Sequence, residues 1–265
     1  NRLIEVQMDD IFKKIASFQS KESLLVKEKP KQKEQAVVDL GDISCTLLIF
    51  SKDRPFQLGE LLESVARYVT CKKIVVLWTT ATDWLNGYKA LQSRYTNVSF
   101  VQETDFTKNL NDIINEASFS SDCIAFCVDD LLFFSSIVLE SYAKALIRNF
   151  DAFGMHLKLH PGIVFSHTRN CSSPPPPLSS GKTICDSDNN ISYLHYELAH
   201  AKVEWNYPFD LCGSIYRLTD VLEILKYCDD CNTGVPSESG SEAKAEVGTK
   251  YLYSTPNRLE TAGNE

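Results

Sequence analysis

Short apolar runs alternate with segments of helical spacing over the first half of the chain, and this alternation constrains the fold most strongly. The run at 45–50 is typical of a buried strand, and leucines recur on one helical face over 56–68. The same pattern predicts strands at 74–78, 98–101 and 123–128 and helices at 83–95, 109–117 and 137–150. Strands separated by helices pair in parallel through right-handed crossovers. The sequence therefore predicts an α/β layer sandwich with a mainly parallel central sheet.

The second half of the chain is less regular. Short strands are predicted at 152–159 and 162–167, an extended segment at 210–217 and a helix at 218–226. Residues 170–191 contain four consecutive prolines and many Ser, Asp and Asn residues, which predicts a long loop. Residues 227–248 are rich in Gly, Ser and Glu and are predicted to be flexible.

The N-terminal residues 1–20 carry apolar side chains at helical spacing. They predict an amphipathic helix that docks on the domain or associates with a partner. Residues 21–38 are rich in Lys, Glu and Gln without an apolar face, which is typical of a linker. We therefore divide the chain into a helix and charged linker over 1–42 and an α/β domain over 43–265.

Composition excludes some classes of protein. The net charge of -8 argues against nonspecific binding of nucleic acid. No apolar run approaches the ~20 residues that a membrane-spanning helix needs. The nine cysteines are an odd number, and a chain of this size rarely needs a disulfide framework, so we expect mostly reduced thiols.

Two adjacent acids, Asp129 and Asp130, follow the predicted buried strand at 123–128. Charges in such a place are costly unless a cation or hydrogen bonds compensate them. Ligands of open α/β sheets bind beyond the carboxyl ends of the strands, and Mg²⁺ and Mn²⁺ prefer carboxylate, water and phosphate oxygens. Two interpretations stay open: acids that cap a turn, or a divalent-cation site that holds a phosphate-bearing ligand.

A second candidate segment joins the first predicted strand to the first helix and contains Ser51, Lys52, Asp53 and Arg54. A helix N-terminus with basic side chains nearby attracts phosphate. The alternative is a structural turn in which Asp53 pairs with Arg54 or Lys52.

The loop after the second predicted strand faces the same edge and contains Asp83 between Trp78 and Trp84. An aromatic side chain there could stack on a nucleotide base, and Asp83 could accept a hydrogen bond from the base or the ribose. The alternative is core packing for Trp78 and helix capping for Asp83.

These segments together resemble family 2-like glycosyltransferases with the GT-A fold. The sequence at 51–58 resembles the opening of such enzymes, Val128-Asp129-Asp130 resembles their acidic metal motif, and residues 205–210 and 213–217 resemble their acceptor-side segment. The resemblance covers about residues 43–217, and the motifs occur in the expected order. It implies a GT-A-type, Rossmann-like three-layer sandwich.

The resemblance also implies an activity, namely transfer of a sugar from a nucleotide-diphosphate sugar to a glycan, protein or lipid acceptor. Asp129 and Asp130 would bind Mn²⁺ or Mg²⁺. The donor would contact Ser51, Asp53, Arg54, Asp83 and Asp129, in a donor half over about 43–135. The acceptor half would cover about 136–265. The expected location is cytoplasmic, or the Golgi lumen if an N-terminal anchor has been removed.

The sequence departs from the family pattern in two places. The acidic motif has two adjacent acids instead of two acids spaced by one residue or three in a row. Where a carboxylate is usual beside a glycine, this chain has Cys212 and Ser214 around Gly213. The nearest carboxylate is Asp210, which is the predicted catalytic base. The alternative is a non-catalytic GT-A-like domain that binds a nucleotide, a glycan or a protein partner.

Overall fold

The computed structural model describes residues 42–184, 190–232 and 253–264. The helix predicted at 1–20, the linker and most of the segment at 227–248 that is predicted to be flexible lie outside the described residues. The division of the chain at residue 42 stays a prediction. Within the described part, the helices are α1 Pro55–Tyr68, α2 Leu85–Arg94, α3 Phe106–Ser118, α4 Leu139–Arg148, α5 Leu218–Asn232 and α6 Pro256–Asn264.

The strands of the described part number from β1 to β12 in chain order. They are β1 Cys45–Lys52, β2 Val69–Thr70, β3 Lys73–Thr79, β4 Ser99–Gln102, β5 Cys123–Val128, β6 Ile137–Val138, β7 Gly154–His156, β8 Phe165–Ser166, β9 Cys171–Ser172, β10 Ser179–Ile184, β11 Asn190–His195 and β12 Ser214–Arg217. No helix among the described residues is long and apolar enough to cross a membrane.

The central sheet has six strands in the order β4-β3-β1-β5-β12-β7. The first four pair in parallel, whereas β12 is antiparallel to both β5 and β7. The prediction of a mainly parallel α/β sheet is therefore confirmed. Because β12 runs antiparallel to β5, the first residues of β12 lie beside the last residues of β5. The candidate site lies where these two strand ends meet.

The two faces of the sheet are covered by different helices. Along β1, Leu47 and Ile49 pack on the side of α1, α2 and α4, whereas Leu48 and Phe50 pack on the side of α3, α5 and α6. Side chains alternate between the faces of a strand, so a strand that is covered on both sides must be apolar throughout. This explains why the inner strands were recognisable as continuous apolar runs.

Some predicted elements differ from the structure. The predicted helix at 218–226 continues to Asn232, into the segment that is predicted to be flexible. The predicted helix at 83–95 is a 3₁₀ turn over Thr82–Trp84 followed by α2, and the predicted helix at 137–150 begins only after the short strand β6. The predicted loop at 170–191 is wrong in part, because Ser179–Ile184 and Asn190–His195 pair as an antiparallel hairpin. The prolines end at residue 177, and the β-branched and aromatic residues beyond them favour strands.

Candidate functional site

The acidic pair and the segment before β12 meet at the end of the sheet where the parallel strands have their carboxyl ends. Because β12 is antiparallel to β5, its first residue Ser214 pairs with Phe126, close to the end of β5. The N–H of Gly213 donates to the carbonyl of Phe126 at 2.8 Å. Strand β7 ends at the same edge, where His156 also pairs with Ser214. Residues 51–54, 129–130, 156–158 and 210–214 thus share one end of the sheet.

Asp129 is buried, with 5% of its surface exposed. Its Oδ2 accepts hydrogen bonds from the Ser51 hydroxyl at 2.8 Å and from the Lys52 backbone N–H at 3.3 Å. The Arg54 guanidinium lies 3.5 Å from Oδ1. Burial raises the pKa of Asp129, and the hydrogen bonds and Arg54 act in the opposite direction. The Asp129 carboxyl is therefore fixed by its neighbours on β1.

Asp130 is exposed, with 59% of its side-chain surface accessible. Its Oδ2 lies 3.0 Å from the Arg54 guanidinium, which is itself half exposed. An ion pair between exposed side chains contributes about 0–1 kcal/mol, so a ligand displaces it at little cost. The two adjacent acids therefore differ: Asp129 is held inside the edge, and Asp130 faces solvent.

The fully buried Tyr88 of α2 supports this arrangement, although no motif in the sequence indicates this role. Its hydroxyl lies 2.7 Å from the Ser51 hydroxyl and accepts a hydrogen bond from the Arg54 backbone N–H at 3.1 Å. The Tyr88 ring stacks on Trp78 with centroids 4.5 Å apart. Trp78 is 3% exposed, so the alternative of core packing for this residue is confirmed, and its ring is not open to a nucleotide base.

Asp53 shapes the turn between β1 and α1. Its φ of 56° is in the left-handed region, which Asp tolerates better than most residues. Its Oδ1 accepts hydrogen bonds from the Thr80 hydroxyl at 3.0 Å and the Ala81 N–H at 2.7 Å. Asp53 therefore ties the loop after β3 to the loop after β1. The alternative in which it pairs with Arg54 or Lys52 does not occur among the contacts of the described residues.

Asp83 lies in the 3₁₀ turn before α2, where its side chain is exposed. It does not cap α2, because the N-cap position is occupied by Trp84 and no side chain bonds there. Among the described residues, no hydrogen bond joins Asp83 to Ser51, Arg54 or the acidic pair. The structure therefore brings together Ser51, Arg54, Asp129 and Asp130, and leaves Asp83 on the neighbouring loop.

Asp210, the predicted base, lies near the start of β12 at the same end of the sheet, and it is buried, with 4% of its surface exposed. Its Oδ2 is 2.5 Å from the Lys158 ammonium, and its Oδ1 accepts a hydrogen bond from the Cys212 N–H at 2.8 Å. Burial alone would lower the pKa of Lys158, but Asp210 outweighs burial and raises it. The ammonium therefore balances the charge of the Asp210 carboxylate.

A second carboxyl group, that of Glu260 on α6, lies beside Asp210. Ligand-type atoms of Asp210, Cys212 and Glu260 all lie within 4.8 Å of one another, so the group could hold a metal ion by composition. However, Lys158 already supplies a positive charge, and burial raises the pKa of the Cys212 thiol to about 12. Among the described residues, the Lys158 ammonium is the cation that lies against this carboxyl pair.

Gly213 has a structural requirement in this segment. Its φ of 74° is in the left-handed region, and a Cβ atom there would lie 3.2 Å from Leu131 Cδ1. The turn through Gly213 lets the chain pass from Asp210 into β12 beside the loop that follows Asp130. Lys158 and Glu260 were missed from the sequence, because neither belongs to a local pattern: one follows a short edge strand and the other lies in a polar stretch near the C-terminus.

No family model matches the chain. It is 31% identical over 191 residues to the bifunctional glycosyltransferase pgtA of Dictyostelium discoideum, an alignment that covers 68% of this chain and 24% of that protein. The chain thus spans about a quarter of the length of this relative. The resemblance to glycosyltransferases that the sequence predicted is confirmed by this similarity.

The chain is also similar to solved structures. One is S. aureus TarS 1-349, with 15% identity, a TM-score of 0.41 and coverage of 71% of this chain and 49% of that one. Another is the mannosyltransferase PcManGT from Pyrobaculum calidifontis in complex with GDP-Man and Mn²⁺, with 12% identity, a TM-score of 0.37 and coverage of 56% and 43%. Structural overlap of this extent carries no argument about activity.

Proposed function

We propose that the α/β domain transfers a sugar from a nucleotide-diphosphate sugar to an acceptor. The observation that carries the proposal is the convergence, at one sheet edge, of the acidic pair with Arg54 and of the buried Asp210 with Lys158. The similarity to a bifunctional glycosyltransferase supports the reaction class. Ligands of open α/β sheets bind at this kind of edge.

The donor diphosphate would lie next to Asp130 and Arg54. An exposed carboxylate oxygen suits Mn²⁺ or Mg²⁺, which take most of their other ligands from phosphate and water. Asp130 would hold this ion, with Oδ1 of Asp129 as the second protein oxygen. When bound, the ion would supply positive charge that neutralises the departing diphosphate. Arg54 would pair with a phosphate once its bond to Asp130 opens.

Asp210 would act as the base on the acceptor side. In a single displacement, Asp210 takes the proton of the acceptor hydroxyl, whose oxygen forms a bond to the anomeric carbon of the sugar. The bond between that carbon and the diphosphate oxygen breaks, and the nucleoside diphosphate leaves with the electron pair. Lys158, whose ammonium lies 2.5 Å from Oδ2 of Asp210, would hold the Asp210 side chain in position.

A non-catalytic binding domain is the second candidate. One observation favours it: the Lys158 ammonium forms an ion pair with Asp210 Oδ2 at 2.5 Å. Asp210 would have to give up or weaken this ion pair before it could accept a proton from an acceptor hydroxyl. Such a domain would bind a nucleotide, a glycan or a protein partner, and only the enzyme would consume a nucleotide-sugar donor.

A binding screen tests both candidates. We would measure the thermal midpoint with uridine, guanosine and cytidine diphosphates and their sugars, with and without Mn²⁺, because a ligand that binds the native state raises the midpoint. We expect a shift that depends on Mn²⁺ and is lost in Asp130→Asn. The control is Asp112→Asn, which removes an exposed carboxylate on α3. No shift with any nucleotide would refute the enzyme and the nucleotide-binding form of the second candidate, and would leave a domain that binds a glycan or a protein partner.

Turnover separates the two candidates. With the donor that binds, we would measure release of the nucleoside diphosphate with water or with glycan, peptide and lipid acceptors. For an enzyme, Asp210→Asn should retain donor binding and lose turnover. For a binding domain, the wild-type protein itself would bind the donor without consuming it.

We propose a cytoplasmic location, which imaging of the full-length protein would test against a Golgi location. We also propose that residues 1–20 mediate association, and light scattering of the chain with and without these residues would show a change in mass if they do.

A further inference from the structure

One helix near the C-terminus holds the backbone on both sides of Asp210. Glu260 Oε1 of α6 accepts a hydrogen bond from the Leu211 N–H at 2.6 Å. Asn264 Oδ1 accepts from the Phe209 N–H at 3.0 Å, and Asn264 Nδ2 donates to the Phe209 carbonyl at 2.6 Å. The residue before Asp210 and the residue after it are therefore both bound to α6.

The geometry of α6 makes this double attachment specific. Residues 260 and 264 are four positions apart, so their side chains lie on the same helical face. Leu259 next to Glu260 is fully buried and anchors the helix in the core. The loop at 209–212 lies between a 3₁₀ turn and β12, where no strand partner satisfies its backbone N–H groups. Buried N–H groups must find other acceptors. Residues of α6 provide them for Phe209 and Leu211, whereas the N–H groups of Asp210 and Cys212 donate to the Tyr216 hydroxyl and to Asp210 Oδ1.

We propose that α6 is a clasp for the acceptor-side loop and that Glu260 is the positioning residue for Asp210. The inference rests on the proposed function only in treating Asp210 as the base; the clasp itself follows from the contacts. It assigns a role in sugar transfer to a helix that lies beyond the motifs of the sequence.

Glu260 lies among charged and polar side chains, and its substitutions must be chosen so that the hydrogen bond to the Leu211 N–H is changed separately from the charge. Glu260 faces Asp210, Lys158, Cys212 and Tyr207. Burial raises the pKa of Glu260, and the neighbouring Asp210 raises it further. A neutral Gln at this position keeps an oxygen that can accept from the Leu211 N–H. Glu260→Gln should therefore preserve the clasp, whereas Glu260→Ala removes the acceptor.

Amide hydrogen exchange tests the clasp without any substrate. Loss of a charged acceptor for a buried N–H should raise exchange in the peptide 208–214 by on the order of tenfold in Glu260→Ala. Glu260→Gln and the matched control Thr261→Ala, an exposed neighbour on the same helix, should exchange like the wild type. Unchanged exchange of this peptide in Glu260→Ala would overturn the clasp.

A second variant tests the clasp if Glu260→Ala does not fold. Asn264→Ala removes the two bonds to Phe209 and leaves Glu260 in place, so exchange in the same peptide should rise while β1 keeps its protection. Equal exchange in Asn264→Ala and the wild type would also overturn the clasp.

Turnover tests the positioning role. In Glu260→Ala we expect kcat to fall about tenfold or more with the KM for the donor unchanged, and Glu260→Gln should recover most of the rate. Faster loop exchange with an unchanged kcat would overturn the positioning role. If the wild-type protein does not turn over at all, the proposed function fails, and the exchange experiment still decides whether the clasp exists.

Discussion

His156 should make the folded protein sensitive to mild acid. It ends β7 at the candidate site, where Nδ1 of its ring lies 2.8 Å from the Ser214 hydroxyl. Burial lowers the pKa of His156 from 6.5 to about 4, with smaller and opposing effects of Asp210 and Lys158. The folded protein therefore keeps this imidazole neutral at pH values where the unfolded chain protonates it.

The sign of the effect follows from proton binding. Between about pH 6.5 and pH 4 the unfolded state binds one proton more than the folded state, so stability falls as the pH falls. Each pKa unit corresponds to about 1.4 kcal/mol. The free energy of unfolding should therefore lose about 2 kcal/mol by pH 5 and on the order of 3 kcal/mol by pH 4 from this single residue.

Urea unfolding over about pH 7.5 to 4.5 measures this contribution. Other groups also titrate in this range, so the informative quantity is the difference between the wild type and His156→Asn, which keeps a polar partner for Ser214. The variant should lose less stability on acidification, by about 2 kcal/mol at pH 5. His167→Asn replaces an exposed histidine and should follow the wild type. Equal pH dependence in His156→Asn and the wild type would refute the reasoning.

Three other substitutions have definite expected outcomes. Tyr88→Phe leaves the Arg54 N–H without its acceptor and should cost about 1–2 kcal/mol in urea unfolding; an unchanged midpoint would contradict this. Gly154→Ala places a Cβ 2.5 Å from the buried Tyr216 ring and should cost about 1–3 kcal/mol in the same assay, so a neutral result would show that the ring can move. Asp130→Asn should leave stability within about 0.5 kcal/mol and abolish the Mn²⁺-dependent shift, as should removal of metal by a chelator; a retained shift would exclude Asp130 as a ligand.

The central strands could be predicted from the sequence because both faces of the sheet are covered. Burial on two sides requires apolar residues at every position, and the predicted and observed limits of β5 coincide at Cys123–Val128. The hairpin of β10 and β11 could not be predicted in this way. It contains Gly, Ser, Lys and Asn beside its β-branched residues, and the preceding prolines made the whole segment resemble a loop.

The candidate site could be predicted only in so far as its residues follow a strand. Ser51 lies near the end of β1, Arg54 follows β1, and Asp129 and Asp130 follow β5; parallel strands bring these carboxyl ends together. Glu260 reaches the site from α6, about 50 residues along the chain from Asp210. Nothing in the polar sequence around Glu260 indicates this contact, since tertiary packing alone creates it.

The adjacent acids also show what local sequence leaves undetermined. Asp129 and Asp130 form a turn directly after β5, and the Leu131 N–H closes this turn by donating to the Val128 carbonyl at 3.3 Å. Within the turn Asp129 faces β1, where Ser51 and the Lys52 N–H bind it, while Asp130 faces solvent. The turn and the contacts with β1, rather than the spacing of the acids in the sequence, therefore decide that Asp129 is held in place and that Asp130 is accessible to a ligand of the proposed donor site.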